Sequence, residues 1–381
     1  PAVGPDPAAG WPAPFRPPAG GPAPRCDAPL SGGVYARTDP AAVPLDRVVR
    51  AEFPGVRQVT ATYSDGSKRT RVLNTDGTDA RQSLLSTVLS VTVVVEEKGR
   101  LQTGYEVLGG QRGYELLQGD EPFVAARRAA HRAQAKLRAP KARAGEMGVV
   151  LSSSAGGTFI HEAIGHSLEA DHVQEGSSPS YRHSVGKKIA PNNITVVDDP
   201  TLPFQRGSYF FDDEGVLARP TTLVNNGVLM GYLDDRTTAL RDSRVSNGHG
   251  RRESFSDRPF PRMSNLYIAP GQDDPAEIVR GLSRGLFVTR MGGGQVNTAT
   301  GEFVFEVDEG FWVENGEIMH LVRDANLLGI GPEVLLAIDR VGWDVGWGIG
   351  TCGKEGQSVP VSDGQPTIRL PKVVVGGAHE D

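Results

Sequence analysis

The sequence predicts an α+β protein, with a small sheet-plus-helix region followed by a larger, strand-rich one. Three observations predict it. From Val56 to Glu97, apolar and polar residues alternate between turn signals, as in a β-meander. Glu121 to Arg138 is rich in Ala, Arg and Lys and is stopped by Pro140, as a helix would be. Beyond residue 190 the chain is mostly short apolar runs separated by turn residues.

The elements follow in order. Residues 1–33 are dominated by Pro, Ala and Gly and read as a tail or linker, with ordered chain expected from about Val34. Residues 34–145 form the first predicted domain. In it, Val56 to Tyr63 is a strand, Asp65-Gly66 a hairpin turn, and Thr70 to Asn74 the returning strand. Leu84 to Glu97 is a long strand, Lys98-Gly99 a turn, and Gly109-Gly110 a break. The basic residues of the Glu121 to Arg138 helix read as a solvated face.

The second predicted domain is 146–381. Lys141 to Met147 reads as a linker, Gly148 to Ser152 as a strand, and Thr158 to Ala170 as a helix near the domain's start. Asn226-Gly227 and Asn315-Gly316 each sit between apolar runs and predict hairpins. LFVTRM, FVFEVD, PTIRL and KVVVGG are strand candidates, and Pro275 to Arg284 and Pro332 to Arg340 are short helices.

Composition narrows the function. The 381 residues carry a formal net charge of −6, which speaks against a broad nucleic-acid surface. No apolar run approaches the roughly 20 residues that cross a bilayer, so no membrane span is expected. Cys26 and Cys352 are the only cysteines, too few for a disulfide scaffold, and no signal peptide is visible. A cytoplasmic location is the expectation, for a chain that begins at Pro1 rather than Met.

The informative segment is His161-Glu162-Ala-Ile-Gly165-His166. Imidazole is a good Zn²⁺ ligand, and an adjacent carboxylate can take a proton from metal-bound water. In HExxH the histidines stand four apart, about 40° around a regular helix. Here they stand five apart, about 140° around the axis. To share one ion, the helix must widen locally, as in a π-bulge, or end near Gly165, where glycine permits an unusual backbone. Two unrelated helix histidines are the alternative, and spacing alone leaves both readings open.

A third ligand would complete a catalytic site with one open position. Cys352, between glycines in Gly350-Thr-Cys-Gly-Lys-Glu-Gly-Gln357, is a candidate thiolate; as an isolated residue it reads more readily as a small buried thiol. His172 and His249 compete for the same role. Arg251 and Arg252 suit binding of a substrate backbone or carboxylate, or a structural ion cluster. Gly293 and Gly294, in Gly292-Gly-Gly-Gln295, suit an extended peptide or a plain turn. Asp212-Asp-Glu214 reads as a turn ended by Gly215.

A series of motifs adds to this. HEAIGH is followed by Val197-Asp-Asp199, Arg206-Gly-Ser208, Asp212-Asp-Glu-Gly215 and Gly250-Arg-Arg-Glu-Ser254. Then come Pro261-Arg-Met-Ser-Asn265, Gly292-Gly-Gly-Gln-Val296 and Cys352-Gly-Lys-Glu-Gly-Gln357. In this order they resemble the TldD/PmbA family, once described as modulators of DNA gyrase and better understood as zinc metallopeptidases. The resemblance runs from about Gly148 to the C-terminus and more faintly back to Val34. It implies Zn²⁺ held by His161, His166 and Cys352, with Glu162 as the general base of peptide hydrolysis. It implies that 146–381 is the catalytic domain, of the TldD type that keeps the histidine motif. The implied partners are peptides or unfolded segments as substrates, and a second copy or a TldE/PmbA-type subunit lacking the motif. Family members usually carry a further N-terminal α/β region. The Pro/Ala-rich stretch stands in its place, so 34–145 reads as a partial domain, from a fragment or a diverged N-terminus. The alternative function is a peptide-binding scaffold or partner subunit whose metal site is structural or empty.

Overall fold

The computed structural model describes residues 42–377, and the tail predicted over 1–33 and the start expected at Val34 lie outside the described residues. The fold is α+β. Its first sheet is an antiparallel meander of Val56–Leu73, Asp79–Glu97 and Arg100–Gly110. Period-two alternation turns Leu89, Val91, Val93 and Val95 to one face, where they are buried. Against them lies the helix Glu121–Arg138, with Ala126, Ala129, Ala130, Ala133 and Leu137 on its apolar stripe.

Two expectations fail here. The Asp65-Gly66 pair is not a turn, since it runs straight through the first strand with Asp65 opposite Thr87 and Gly66 opposite Ser86. The chain reverses instead at the next Asp-Gly pair, where Asn74 Oδ1 accepts from the Asp76 and Thr78 amides and Gly77 takes φ +88°. Nor is the basic face of the helix wholly solvated. Arg132 and Lys136 are buried, and their charges meet Glu106, Asp308 and Glu309. Asp308 and Glu309 belong to the strand Glu302–Glu314 of the larger sheet, so these pairs tie the helix to it.

Gly250–Arg251 with Phe260–Pro261 forms a small two-stranded sheet, and the other remaining strands build two sheets around one large core. In one, Arg284–Val296, Gly145–Leu151, Ile368–Gly376, Ala325–Ile330 and Glu302–Glu314 pair in that order, and the last also pairs with the first. Five strands thus close on themselves, with Glu317–Val322 outside. The other sheet is six-stranded, and the hairpin Gly346–Lys354 with Gln357–Gln365 forms one side of it. Asn226-Gly227 and Asn315-Gly316 are hairpin turns as expected, both with positive φ at each residue. The predicted linker 141–147 is strand from Gly145 onward. The two short helices end early, at Arg280 and Ala337. The triple glycine is no turn but the end of a strand, at a register shift between Met291 and Gly294 that marks a bulge. No helix among the described residues is long and apolar enough to cross a membrane.

Candidate metal centre

Strand Gly145–Leu151 delivers the chain through one short turn into the histidine segment. Thr158–Ile160 is an α-helical turn, His161–Gly165 a π-helical turn, and His166–Leu168 a 3-10 turn. The widened turn answers the spacing problem. The His166 amide donates to the His161 carbonyl, an i to i+5 bond between the two histidines themselves. Their rings come to 4.9 Å between centroids. Gly165 contributes differently from expectation. Its backbone is ordinary right-handed helix, φ −53°. What it supplies is room, because a Cβ there would lie 2.2 Å from Met263 Sδ and 2.9 Å from Leu266 Cδ2.

The helix is docked onto the hairpin by Gly157. Its amide donates to the Asp363 carbonyl at 3.1 Å, and its own carbonyl accepts from the His161 amide at 3.0 Å. A Cβ on Gly157 would sit 2.4 Å from the Gly364 nitrogen and 2.5 Å from the Asp363 carbonyl carbon. Both are backbone, with no rotamer to yield. Gly157→Ala is therefore expected to destabilise the fold by about 1–3 kcal/mol, the usual range for overpacking. Urea denaturation measures this, and an unchanged midpoint would mean that the helix can lift off the hairpin without loss.

The hairpin carries the remaining groups. Cys352 is opposite Val359 and Asp363 opposite Gly348, so Cys352, Lys354 and Asp363 share a face. Ligand atoms of His161, His166 and Cys352 all lie within 4.8 Å of one another. His161 Nδ1 is 2.8 Å from Asp363 Oδ1, and His166 Nδ1 is 3.1 Å from Glu169 Oε2. Each carboxylate takes the Nδ1 side of its ring, which leaves Nε2 for a metal. Bonds of about 2.3 Å to sulfur and 2.0–2.1 Å to nitrogen at a tetrahedral angle would separate S and N by about 3.6 Å. Cys352 Sγ and His166 Nε2 are 3.6 Å apart. That pair stands at the ligand spacing, and two imidazoles with a thiolate are a donor set that suits a tetrahedral, borderline-soft cation.

Without a metal the cluster is a thiolate beside two protonated imidazoles, each of which must release a proton before a cation binds. Burial pushes the Cys352 thiol up, but hydrogen bonds and charge from His161 and His166 outweigh it and bring the value down to about 5. Burial works against a charged His166, yet Glu169 and Cys352 raise it to about 10. His161 is raised likewise by Asp363 and Cys352 against the cost of burial. Burial raises Glu162, with the two histidines opposing. Glu169 goes the other way: burial disfavours its charge, but Lys354 and His166 hold it well below the usual carboxylate range.

The other sequence candidates are placed as follows. His249 is fully buried, with Nε2 3.1 Å from Asp198, away from the cluster. His172 lies near Glu169 and Asp171, but there the Lys354 ammonium already supplies the cation. Arg251 is buried and donates to the Met263 and Pro360 carbonyls; Arg252 donates to those of Phe255 and Asp257. Both line a cavity of about 290 Å³ beside Lys68, Arg206 and Pro360. Gly293 borders a separate cleft of about 890 Å³, together with Thr158, Trp347 and Tyr105. A Cβ on Gly294 would lie 3.6 Å from Glu162 Cγ, so the bulge passes beside that side chain. Asp212–Glu214 is a turn, closed by the Asp212 side chain and Gly215. Sequence reasoning missed Asp363, Glu169 and Lys354 as supports of the site.

Fold and cluster together define a chain of the metalloprotease class, and comparison with known proteins agrees. Residues 144–377 match the PmbA/TldA metallopeptidase C-terminal domain and 35–137 its central domain. The chain belongs to the PmbA/TldD family and is a TldD-type member. It is 37% identical over 342 residues to the metalloprotease TldD homolog of Haemophilus influenzae, covering 88% of this chain and 71% of that one. It is 37% identical over 327 residues to a metalloprotease of Methanothermobacter thermautotrophicus, covering 86% and 71%. A relative from Saccharolobus solfataricus, 31% identical over 330 residues with 86% and 73% covered, is named a zinc metalloprotease TldD homolog. Two solved structures share the fold. One is a Thermotoga maritima protein described as a modulator of a DNA gyrase (TM-score 0.73, 24% identity, 88% and 73% covered). The other is TldE from Thermococcus kodakarensis (TM-score 0.68, 20% identity, 88% and 73% covered).

Proposed function

We propose that this chain is a zinc-dependent peptidase of peptides or unfolded segments, with His161, His166 and Cys352 as metal ligands and Glu162 as general base. The observation that carries the reading is the convergence of two imidazoles and a thiolate within 4.8 Å of one another, with Cys352 Sγ 3.6 Å from His166 Nε2, across a helix turn widened between the two histidines. The division into a first domain, 34–145, and a catalytic domain, 146–381, is part of it, in line with the matches to the family's central and C-terminal domains.

When bound, zinc supplies a Lewis acid that polarises a carbonyl and acidifies water. The chain's own residues do the rest. Asp363 and Glu169 hold the imidazoles at Nδ1. The Glu162 carboxylate, beside the ligands and raised by burial, takes a proton from the attacking water and returns it to the leaving amine. Three lengths of strand edge border the cleft: Arg100–Gly110 and Gly346–Lys354 at the ends of their sheets, and Arg284–Val296 past Val288, where its ladder with Gly145–Leu151 stops. An extended substrate can add to such an edge through backbone hydrogen bonds, with little demand on sequence. Arg251 and Arg252, whose guanidinium groups are engaged with carbonyls, support the frame of the site in this reading. The partner is a second copy or a TldE-like subunit lacking the histidine motif, and the location cytoplasmic.

The test is cleavage of an unstructured peptide by the full chain, alone and with a TldE-type subunit. Chelation is expected to stop turnover and added Zn²⁺ to restore it. Zinc-loaded chain that cleaves no such peptide, in either form, would favour a binding scaffold instead.

A further inference from the structure

We propose that Lys354 is a positioning residue for His166, acting through Glu169, so that a single strand supplies one ligand and braces another. This rests on the reading of His161, His166 and Cys352 as metal ligands.

Cys352 and Lys354 stand two apart on Gly346–Lys354, so both turn to the same buried face. Lys354 Nζ is 3.0 Å from Glu169 Oε2, 2.7 Å from Asp171 Oδ1 and 3.1 Å from the Pro261 carbonyl. An ammonium has three hydrogens to donate, and three acceptors take them. The lysine has none left for substrate or solvent.

Glu169 is fully buried and is the pivot. The Oε2 that meets Lys354 also meets His166 Nδ1, at 3.1 Å. Its Oε1 has no hydrogen-bond partner among the described residues. His172 Nε2 lies 3.6 Å from Oε2, too long for a good hydrogen bond. A carboxylate held through one oxygen is free to turn unless something besides the imidazole fixes that oxygen. Lys354 is the group that does so, and the plane of the His166 ring follows. Stability is a poor account of the cluster, since buried ion pairs are often matched by apolar side chains of the same volume. Orientation of a ligand accounts for it directly.

The cluster also explains why the carboxylates near His172 are no second cation site, because the lysine fills it. The hairpin then reaches every ligand. Cys352 is one, Lys354 reaches His166 through Glu169, and Asp363 on the return strand holds His161.

Co²⁺ titration of the full chain tests this without reference to activity. Wild type is expected to show ligand-field bands and a thiolate-to-metal charge-transfer band. Lys354→Met and Glu169→Gln should each weaken Co²⁺ binding about 10- to 100-fold and shift the ligand-field bands, while the charge-transfer band stays. Because the lysine works through the glutamate, the double variant should bind no more weakly than the weaker single one. Wild-type affinity and bands in Lys354→Met overturn the proposal whatever Glu169→Gln shows, as do losses that multiply in the double variant. Should Lys354→Met fail to fold, Glu169→Gln, of matched size, decides alone: unaltered affinity there overturns the proposal. A wild-type chain without the charge-transfer band removes the ligand assignment itself, and the proposal with it; a wild-type band with indifferent variants removes only the role of Lys354.

Discussion

Glu162→Gln is expected to lower kcat by at least the roughly 10²- to 10⁴-fold that a general base contributes, with metal content and stability unchanged. Among the described residues Glu162 makes no hydrogen bond or ion pair, so no partner is held by its carboxylate. Gln has the same size and keeps a polar end, and it strands no buried partner. Its side chain runs next to the glycine bulge and feels the charge of all three ligands, with burial raising its proton affinity and the histidines restraining the rise. A base must be ionised to act. Hydrolysis should therefore fall as pH drops through a value above the ordinary carboxylate range, and the variant should lose that limb of the profile along with the rate. Measurement of kcat, zinc content and unfolding midpoint on the same preparations decides the matter. Retained turnover in the variant, or zinc lost together with turnover, would move the catalytic role elsewhere.

The site was unevenly legible in the sequence, and the unevenness has physical causes. Local chemistry was readable. Two histidines and a glutamate in six residues suggested a metal while leaving two unrelated histidines open; sharing an ion required a widened turn or a helix end near Gly165, and a widened turn is present between His161 and Gly165. Gly165 was correctly singled out for the wrong reason, because its contacts with Met263 and Leu266 come from distant segments that no local pattern displays. Cys352 was named by resemblance, since a thiol between glycines carries no signal of its own. Asp363 and Lys354 were invisible as supports. Their roles exist only once the hairpin strand pairing puts them on one face and the core brings that face to the helix. The motifs shared with the family turn out to be largely framework. Asp198 accepts from Ser264, Asn265 bridges Asp199, Gly207 and Ser208, and Arg262 holds the Cys352 carbonyl. Repetition misled in the first sheet. Two Asp-Gly pairs lie eleven residues apart in sequence, Asp65-Gly66 and Asp76-Gly77, and only the second sits where the partner strand begins.

Cys352→Ser carries the second large expectation, loss of bound zinc from the purified chain. Two accounts of Cys352 compete. As a small buried side chain, it would be replaced by serine at the cost of burying a hydroxyl, about 1–3 kcal/mol, and zinc would remain. As a ligand, it contributes a soft anion that a neutral hydroxyl does not replace. Its thiol is brought down to about 5 by the two histidines, so at neutral pH it is already the thiolate a metal needs. Its sulfur stands at the ligand separation from His166 Nε2. Loss of affinity should thus exceed the roughly 10- to 100-fold typical of an outer partner. Competition titration with a chelator of known affinity gives the number, and denaturation in excess chelator isolates the packing cost. A serine variant that keeps full zinc while losing only stability would make Cys352 a packed thiol. The two histidines would then need a third ligand from the rest of the chain. Asp363 is the nearest acid, and because its carboxylate is already bonded to His161 Nδ1, freeing it would undo the orientation of the ring it holds.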